Sequence, residues 1–350
     1  MGLTPHKKNK TTGAAVKVIR WGIMGNAKIA RDWLIPAIQG SQYAELAAVA
    51  SRDQDRASAL ANTLADNEGP PLAFGSYEDL LGCNEVDAVY IPLPNHLHVP
   101  WSIKALEAGK HVLCEKPLGL NSGEVVQLQN SAEKFPGLQV MEAFMYRFHP
   151  QWVRVAELIE SGALGRIEHV QASFTYNNTD GDNVRNMPGI GGGGLMDIGC
   201  YCISAARFVF GKEPLRVVGN LDWDPKFQTD RHASGMLDFG QGMASFQCST
   251  QSHLSQMVKI IGDKGTLEVE NPFFSREGVP SQLTLYRNDI EETIVVGEFN
   301  HYVYQVDAFC QAALNQLAAP TPLEDALGNM KVIDAIFASA SENVWVTIPP

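Results

Sequence analysis

Lys116 leaves the apolar run Val112-Leu113-Cys114 by way of Glu115 and is followed at once by Pro117. Open α/β sheets bind ligands outside the carboxyl ends of their strands. Proline has no N–H to give a ladder, so it ends the strand and fixes the turn just past the lysine. A cation there can orient a substrate oxygen or tune a proton carrier, although by itself it reads equally as a surface lysine. A second chemical pair follows the run Gly191-Gly192-Gly193-Gly194. Asp197 and Tyr201 are spaced i, i+4, which sets a carboxylate and a phenol on one helix face. Such a pair can hold a hydroxylated substrate and exchange its proton. The same stretch also reads as a flexible linker ahead of a core tyrosine.

Gly22-Ile23-Met24-Gly25-Asn26-Ala27-Lys28-Ile29-Ala30 lies where a first strand turns into a first helix. Its form, Gly25-x-Ala27-x-x-Ala30, departs from the dinucleotide fingerprint at the second glycine, which normally lets the backbone approach a pyrophosphate. The context supports a cofactor loop all the same, because a strand precedes it and a helix N-terminus follows to receive phosphate charge. A purely structural glycine turn is the alternative. At the end of the second strand, where NAD sites usually carry an acidic residue, stand Ser51 and Arg52. A hydroxyl and a guanidinium suit a 2′-phosphate, so NADP is expected over NAD. Asp53 counts the other way unless it caps the next helix.

Other polar residues invite chemistry with less support. His96-x-His98 has no acidic or cysteine partner at ligand spacing, so no metal is expected. Glu142 and Arg147 follow a strand end, and Arg185 lies in the loop before the glycine run; each serves equally as substrate contact or structural ion pair. His149 reads as a packed residue.

The elements that must position these groups are legible in outline. A chain of 350 residues with 45% apolar content can fill two cores. Its formal charge of −12 is scattered, which argues against nucleic-acid or anionic-membrane partners and leaves a small molecule as the expected ligand. No apolar segment precedes the first strand, so neither a signal peptide nor a membrane span is expected, and the location should be cytoplasmic. Six scattered cysteines read as buried thiols. Strands at 16–24, 43–50, 86–91 and 111–114 alternate with helices at 27–38, 53–64 and 99–108, the pattern of a doubly wound parallel sheet. A short strand at 138–141 and a helix near 151–161 follow. Strands at 167–176, 216–222, 233–239, 243–249, 257–261 and 266–270 then predict a mostly antiparallel sheet, with helices near 195–210, 302–316 and 324–342. The expected domains are 1–145, dinucleotide-binding with 1–14 as a flexible tail, and 146–350, an α+β unit for substrate and oligomerisation.

Taken together, Arg20-Trp21-Gly22, Pro92-Leu93-Pro94-Asn95-His96-Leu97-His98, Glu115-Lys116-Pro117, Glu142-Ala143-Phe144-Met145-Tyr146-Arg147 and Asp197-Ile198-Gly199-Cys200-Tyr201 resemble the glucose-fructose oxidoreductase and inositol dehydrogenase (Gfo/Idh/MocA) family. The branch resembled contains NADP-dependent D-xylose dehydrogenase and dimeric dihydrodiol dehydrogenase, and the likeness covers nearly the whole chain. The resemblance implies that Lys116 orients substrate and nicotinamide and that Tyr201 is the acid/base group. It implies cofactor contacts from the Gly22–Ile29 loop, Pro92, Leu93, Asn95, His98 and Glu115. Alanine at position 27 is a familiar variant in that branch, and a dimer or higher oligomer through the C-terminal sheet is implied.

The chemistry that follows is hydride transfer between NADP and an aldose or vicinal diol. The cofactor carries only the hydride, so a side chain must carry the proton. A free tyrosine has a pKa of about 10, and Lys116 with the oxidised nicotinamide would lower it. Asp197 would bind a neighbouring hydroxyl. Two rivals keep the same fold: a sugar- or nucleotide-sensing regulator without turnover, and a sugar–sugar oxidoreductase that never releases its cofactor.

Overall fold

In the computed structural model the described residues are 17–65, 69–274 and 278–349. The stretch 1–14, expected to be a flexible tail, lies outside them. The first sheet is made of β1 (Ile19–Met24), β2 (Ala44–Ala50), β3 (Leu72–Phe74), β4 (Ala88–Ile91), β5 (His111–Cys114) and β6 (Val140–Glu142), all paired in parallel. Strands covered on both faces read as near-continuous apolar runs, and β4 is buried at every residue. The strand order is β3-β2-β1-β4-β5-β6. It reverses between β1 and β4, and a sheet of this kind binds ligand in the crevice outside that switch point.

Helices return the chain between these strands: α1 (Ile35–Gly40), entered through a π-helical stretch Ala30–Leu34, then α2 (Gln54–Thr63), α3 (Tyr77–Leu81), α4 (His98–Glu107) and α5 (Ser122–Ala132). Asp53 caps α2, its carboxylate accepting from Arg56 N at 2.8 Å. Sequence patterning does not anticipate β3, α3 or α5, which are short or carry few apolar residues. Even so, Asn121 caps α5 and Val125 and Leu128 supply its buried i, i+3 pair.

The second sheet comprises β7 (Ile167–Asn177), β8 (Arg216–Trp223), β9 (Asp230–Asp238), β10 (Met243–Ser249), β11 (Gln251–Gly262), β12 (Thr266–Glu270), β13 (Ser281–Arg287), β14 (Ile290–Gly297) and β15 (Val346–Thr347). Neighbours are antiparallel except β7 and β10, in the order β14-β13-β12-β11-β7-β10-β9-β8-β15. The strands β13 and β14 extend the expected sheet; Leu283 and Leu285 are buried on alternate positions of β13. Helices α6 (Pro150–Glu160), α7 (Cys200–Phe210), entered through a π-helical turn Leu195–Gly199, α8 (His301–Asn315) and α9 (Leu323–Glu342) complete the unit. Both α7 and α9 pack on this sheet, whereas α8 crosses to the first one, where Phe309 meets Trp21 at 5.1 Å between ring centroids. All six cysteines are free thiols, five of them buried. No helix among the described residues is long and apolar enough to cross a membrane.

A buried ionic network ties α9 to α7 and to the turn Met145–Phe148. Asp325 pairs with Arg147 at 2.9 Å and Arg207 at 3.4 Å, and Arg207 also holds Glu213 at 2.6 Å. The two guanidinium side chains are only 10% and 4% exposed, so removing their shared carboxylate leaves Arg147 without its ionic partner. The Asp325→Ala variant should therefore lose about 3 kcal/mol in urea unfolding, the lower end of what breaking a buried pair costs.

Candidate functional site

The cofactor-loop residues converge where the sheet topology requires. Gly25 follows β1 with φ +103°, a conformation that penalises any Cβ, and a Cβ there would press on Leu93 Cδ2 at 3.1 Å. Leu93 and Pro92 lie just past β4, so the two loops meet across the switch point. Asn26 and Lys28 are exposed, Ile29 is half-buried, and Asn26 accepts a hydrogen bond from Arg31 at 3.1 Å. Gly22 is packed from below by Leu80 and Val86. Arg52 stands exposed past β2 and has no hydrogen bond or ion pair among the described residues, while Ser51 is buried beside it with its N–H on Phe74 O at 3.0 Å. An open guanidinium, a positive-φ glycine and a helix N-terminus on one crevice fit an anionic dinucleotide.

His98 joins two of these loops. One ring nitrogen lies 2.7 Å from Leu93 O and the other 2.8 Å from Pro117 O. Burial lowers its pKa to about 4, so at neutral pH the ring donates through one nitrogen at a time. Asn95 donates to Gly191 O at 2.8 Å, which ties the β4 loop to the glycine run of the second unit. No group of three or more His, Cys, Asp and Glu side chains suited to a metal ion occurs among the described residues.

Lys116, joined to Pro117 by a cis peptide bond, crosses between the units. Its Nζ donates to Asp197 O at 2.6 Å and pairs with Asp197 Oδ1 at 3.1 Å. The other carboxylate oxygen, Oδ2, accepts from Tyr176 Oη at 2.6 Å and pairs with Arg185 Nε at 3.0 Å. Burial would raise Asp197, but Arg185, Lys116 and the Tyr176 hydroxyl together hold it well below the usual carboxylate range. Burial likewise opposes the Lys116 ammonium, and Asp197 outweighs it, leaving Lys116 above its ordinary value. Desolvation and the Asp197 charge push the Tyr176 phenol up. Tyr90 donates to Glu115 Oε1 at 2.5 Å, and burial raises that carboxyl.

Tyr201 packs among Phe144, Tyr146, Phe174 and Phe273, with ring centroids 5.1–5.8 Å away. Lys116 Nζ lies 4.9 Å from its ring centroid, and among the described residues its hydroxyl donates to Met145 Sδ alone, at 3.5 Å. A thioether is a weak acceptor, so a substrate oxygen could displace it at little cost.

Several expectations change on this geometry. Lys116 alone does not lower the Tyr201 phenol: burial, then Glu115, Cys200 and Asp197, push it up, and the Lys116 ammonium is paired with Asp197. Asp197 is not an open carboxylate awaiting a hydroxyl, since both its oxygens already have partners. Arg147 does not reach this cluster; it pairs with Asp325 and donates to Ser204 Oγ at 2.8 Å. Glu142 is buried behind the turn, where Oε1 accepts from Leu118 N at 2.8 Å and burial lifts the carboxyl to about 8. Arg185 alone of that trio meets the cluster, with 44% of its side chain exposed. Nothing in the sequence marks Tyr176 and Tyr90, because each is placed by a partner distant in the chain, Asp197 and Glu115, with no local spacing to signal it. An open apolar groove lined by Phe148, Pro150, Val153, Ile294 and Tyr304 carries only an exposed Arg154–Glu157 pair, so it offers no comparable chemistry.

Known proteins agree with this layout. Residues 19–144 match the oxidoreductase family with an NAD-binding Rossmann fold, and residues 152–268 match the GFO/IDH/MocA C-terminal domain. The chain is 38% identical to a D-xylose 1-dehydrogenase (NADP(+)) of Haloferax volcanii, over 94% of this chain and 99% of that one. It also resembles the crystal structure of KijD10, a 3-ketoreductase from Actinomadura kijaniata in complex with NADP and TDP-benzene. There the TM-score is 0.85 at 31% identity, covering 92% of this chain and 98% of that one. An aldose-aldose oxidoreductase from Caulobacter crescentus, complexed with glycerol, superposes with a TM-score of 0.87 at 25% identity, covering 95% and 100%.

His149 is buried, caps α6 by accepting from Gln151 N at 3.0 Å, and faces His301 at 5.9 Å between ring centroids. Burial lowers His149 to about 4 and His301 to about 3. Unfolded imidazoles, at 6.5, therefore take up protons first, and the stability these rings contribute above pH 6.5 is lost as pH falls toward 4. Urea unfolding at pH 7 and pH 5 should show that loss, smaller by about 1–2 kcal/mol in His301→Gln.

Proposed function

Because this chain belongs to the Gfo/Idh/MocA oxidoreductase family, we propose that it is an NADP-dependent enzyme moving a hydride between nicotinamide and the carbinol or carbonyl carbon of an aldose or vicinal diol. The observation that carries this reading is the Lys116 ammonium, held by Asp197 and set over the Tyr201 ring at the carboxyl end of β5. When bound, NADP supplies the hydride acceptor or donor and, in its oxidised form, a positive charge at the ring. The chain's own residues must manage the proton.

Tyr201 is the proton carrier in this reading. As a neutral phenol it can donate to a carbonyl oxygen as that oxygen gains negative charge, and in the reverse direction it takes the hydroxyl proton. Lys116 donates to the same substrate oxygen and stabilises its developing charge. Asp197 acts indirectly, as the anion that fixes Lys116 and Arg185, and Arg185 is the half-open cation that meets the rest of the substrate. Cofactor choice rests on Arg52 and Ser51 at the end of β2, with Asp53 already committed to capping α2. The NADP of the Haloferax relative and of the Actinomadura reductase supports it. A homodimer across the uncovered face of the nine-stranded sheet, where Met236 and Met257 are each 38% exposed, also fits.

In a screen of aldoses and trans-diols with NADP, Tyr201→Phe should lower kcat by about 10²–10⁴ while NADPH still binds; wild-type turnover in that variant would remove Tyr201 from the mechanism. Fluorescence titration should give a lower Kd for NADPH than for NADH, and Arg52→Ala should close most of the gap. Equal affinities in the wild type would sink the cofactor assignment.

A further inference from the structure

The helix that carries Asp197 and Tyr201 starts without a cap of its own. Its N-cap position is Gly194, which has no side chain, and no side-chain cap forms there. The first N–H groups of any helix need acceptors. Here one comes from another strand: Asp230, the first residue of β9 and 1% exposed, accepts from Leu195 N through Oδ2 at 2.6 Å. Its other oxygen sits against Gly193, whose φ is +115° and where any Cβ would overlap Oδ1. The glycine run is thus a fitted seat for a carboxylate rather than a linker.

We propose that Asp230 is a positioning residue for the reaction, a cap delivered by the sheet that sets the rotation and depth of this helix and so places Asp197 and Tyr201 against Lys116. The inference rests on the reading that Tyr201 works on the substrate and that Asp197 holds Lys116 and Arg185 for it. A cap supplied by the residue before the helix would fix the helix only to its own loop. One supplied by β9 fixes it to the sheet, so the carboxylate that clasps Lys116 inherits the rigidity of the strands. Asp197 from the helix and Cys248 from β10 both interact electrostatically with Asp230. Burial pushes the carboxyl up to about 7, and the N–H groups of Leu195 and Gly194 work against that rise.

Hydrogen exchange and steady-state kinetics on the full chain test the proposal with Asp230→Ala, Asp230→Asn and Gly193→Ala. In Asp230→Ala, exchange of amides 194–198 should accelerate about tenfold while β1 and β4 stay unchanged. Its kcat should fall about 10²-fold, with the Kd for NADPH within about twofold of wild type. Asp230→Asn, which keeps an acceptor, should restore most of both, and Gly193→Ala should reproduce the alanine effect by displacing the carboxylate. Unchanged exchange at the helix entry overturns the cap, a readout that needs no substrate. Accelerated exchange with wild-type kcat overturns the positioning role, as does an equal loss of NADPH affinity. Wild-type protein that turns over no sugar or diol would instead defeat the functional reading, and the exchange data would still decide the cap.

Discussion

A buried carboxylate shared by two cations organises this protein. Asp197 takes Lys116 on one oxygen and Arg185 with Tyr176 on the other. Burying charges is costly unless the geometry is good and the remaining lone pairs are satisfied. That condition is met here by a donor from each unit: Lys116 from the parallel sheet, Tyr176 and Arg185 from the other. The ion pair therefore constrains how the two units approach, and the Asn95–Gly191 hydrogen bond works in the same direction. Other features follow from keeping this contact in register. His98 holds the Leu93 and Pro117 loops together, Glu142 braces the backbone at Leu118, and the Arg147–Asp325–Arg207 network anchors α9 behind them.

The same contact explains the state of Tyr201. A lysine beside a tyrosine is often read as a device to make phenolate, but this ammonium is paired with Asp197 and by itself does not offset the desolvation of the phenol. Burial then dominates, and the phenol stays protonated. In the proposed reaction a neutral phenol donates to a substrate oxygen as that oxygen gains charge, whereas taking a hydroxyl proton requires the phenol to be ionised first, which calls for additional positive charge at the site.

Much of the fold was legible because it depends on local pattern. The alternation of apolar strands and helices through Cys114, the fingerprint-like turn at Gly25 and the helical spacing of Asp197 and Tyr201 all arise within a few residues. The cap role of Asp53 was legible for the same reason. Less visible were elements whose burial is slight or one-sided, such as the edge strand β14, where most residues are exposed. Sequence spacing singled out Lys116, Asp197 and Tyr201 but not how they are wired together or to Tyr176. Arg147 and Arg185 looked alike in sequence; one lies in a buried network and the other beside Asp197.

The sequence by itself determined that a doubly wound sheet carries a cofactor loop, that a cation stands at the end of β5, and that a carboxylate and a phenol share a helix face. These follow from backbone periodicity and from residues near one another in the chain. Only the tertiary structure decided which charge neutralises which: Lys116 meets Asp197 across 81 residues, Tyr176 across 21, and Asp230 caps Leu195 across 35. Electrostatics and capping depend on distances of about 3 Å, and spacing along the chain does not encode them once the partners lie on different elements.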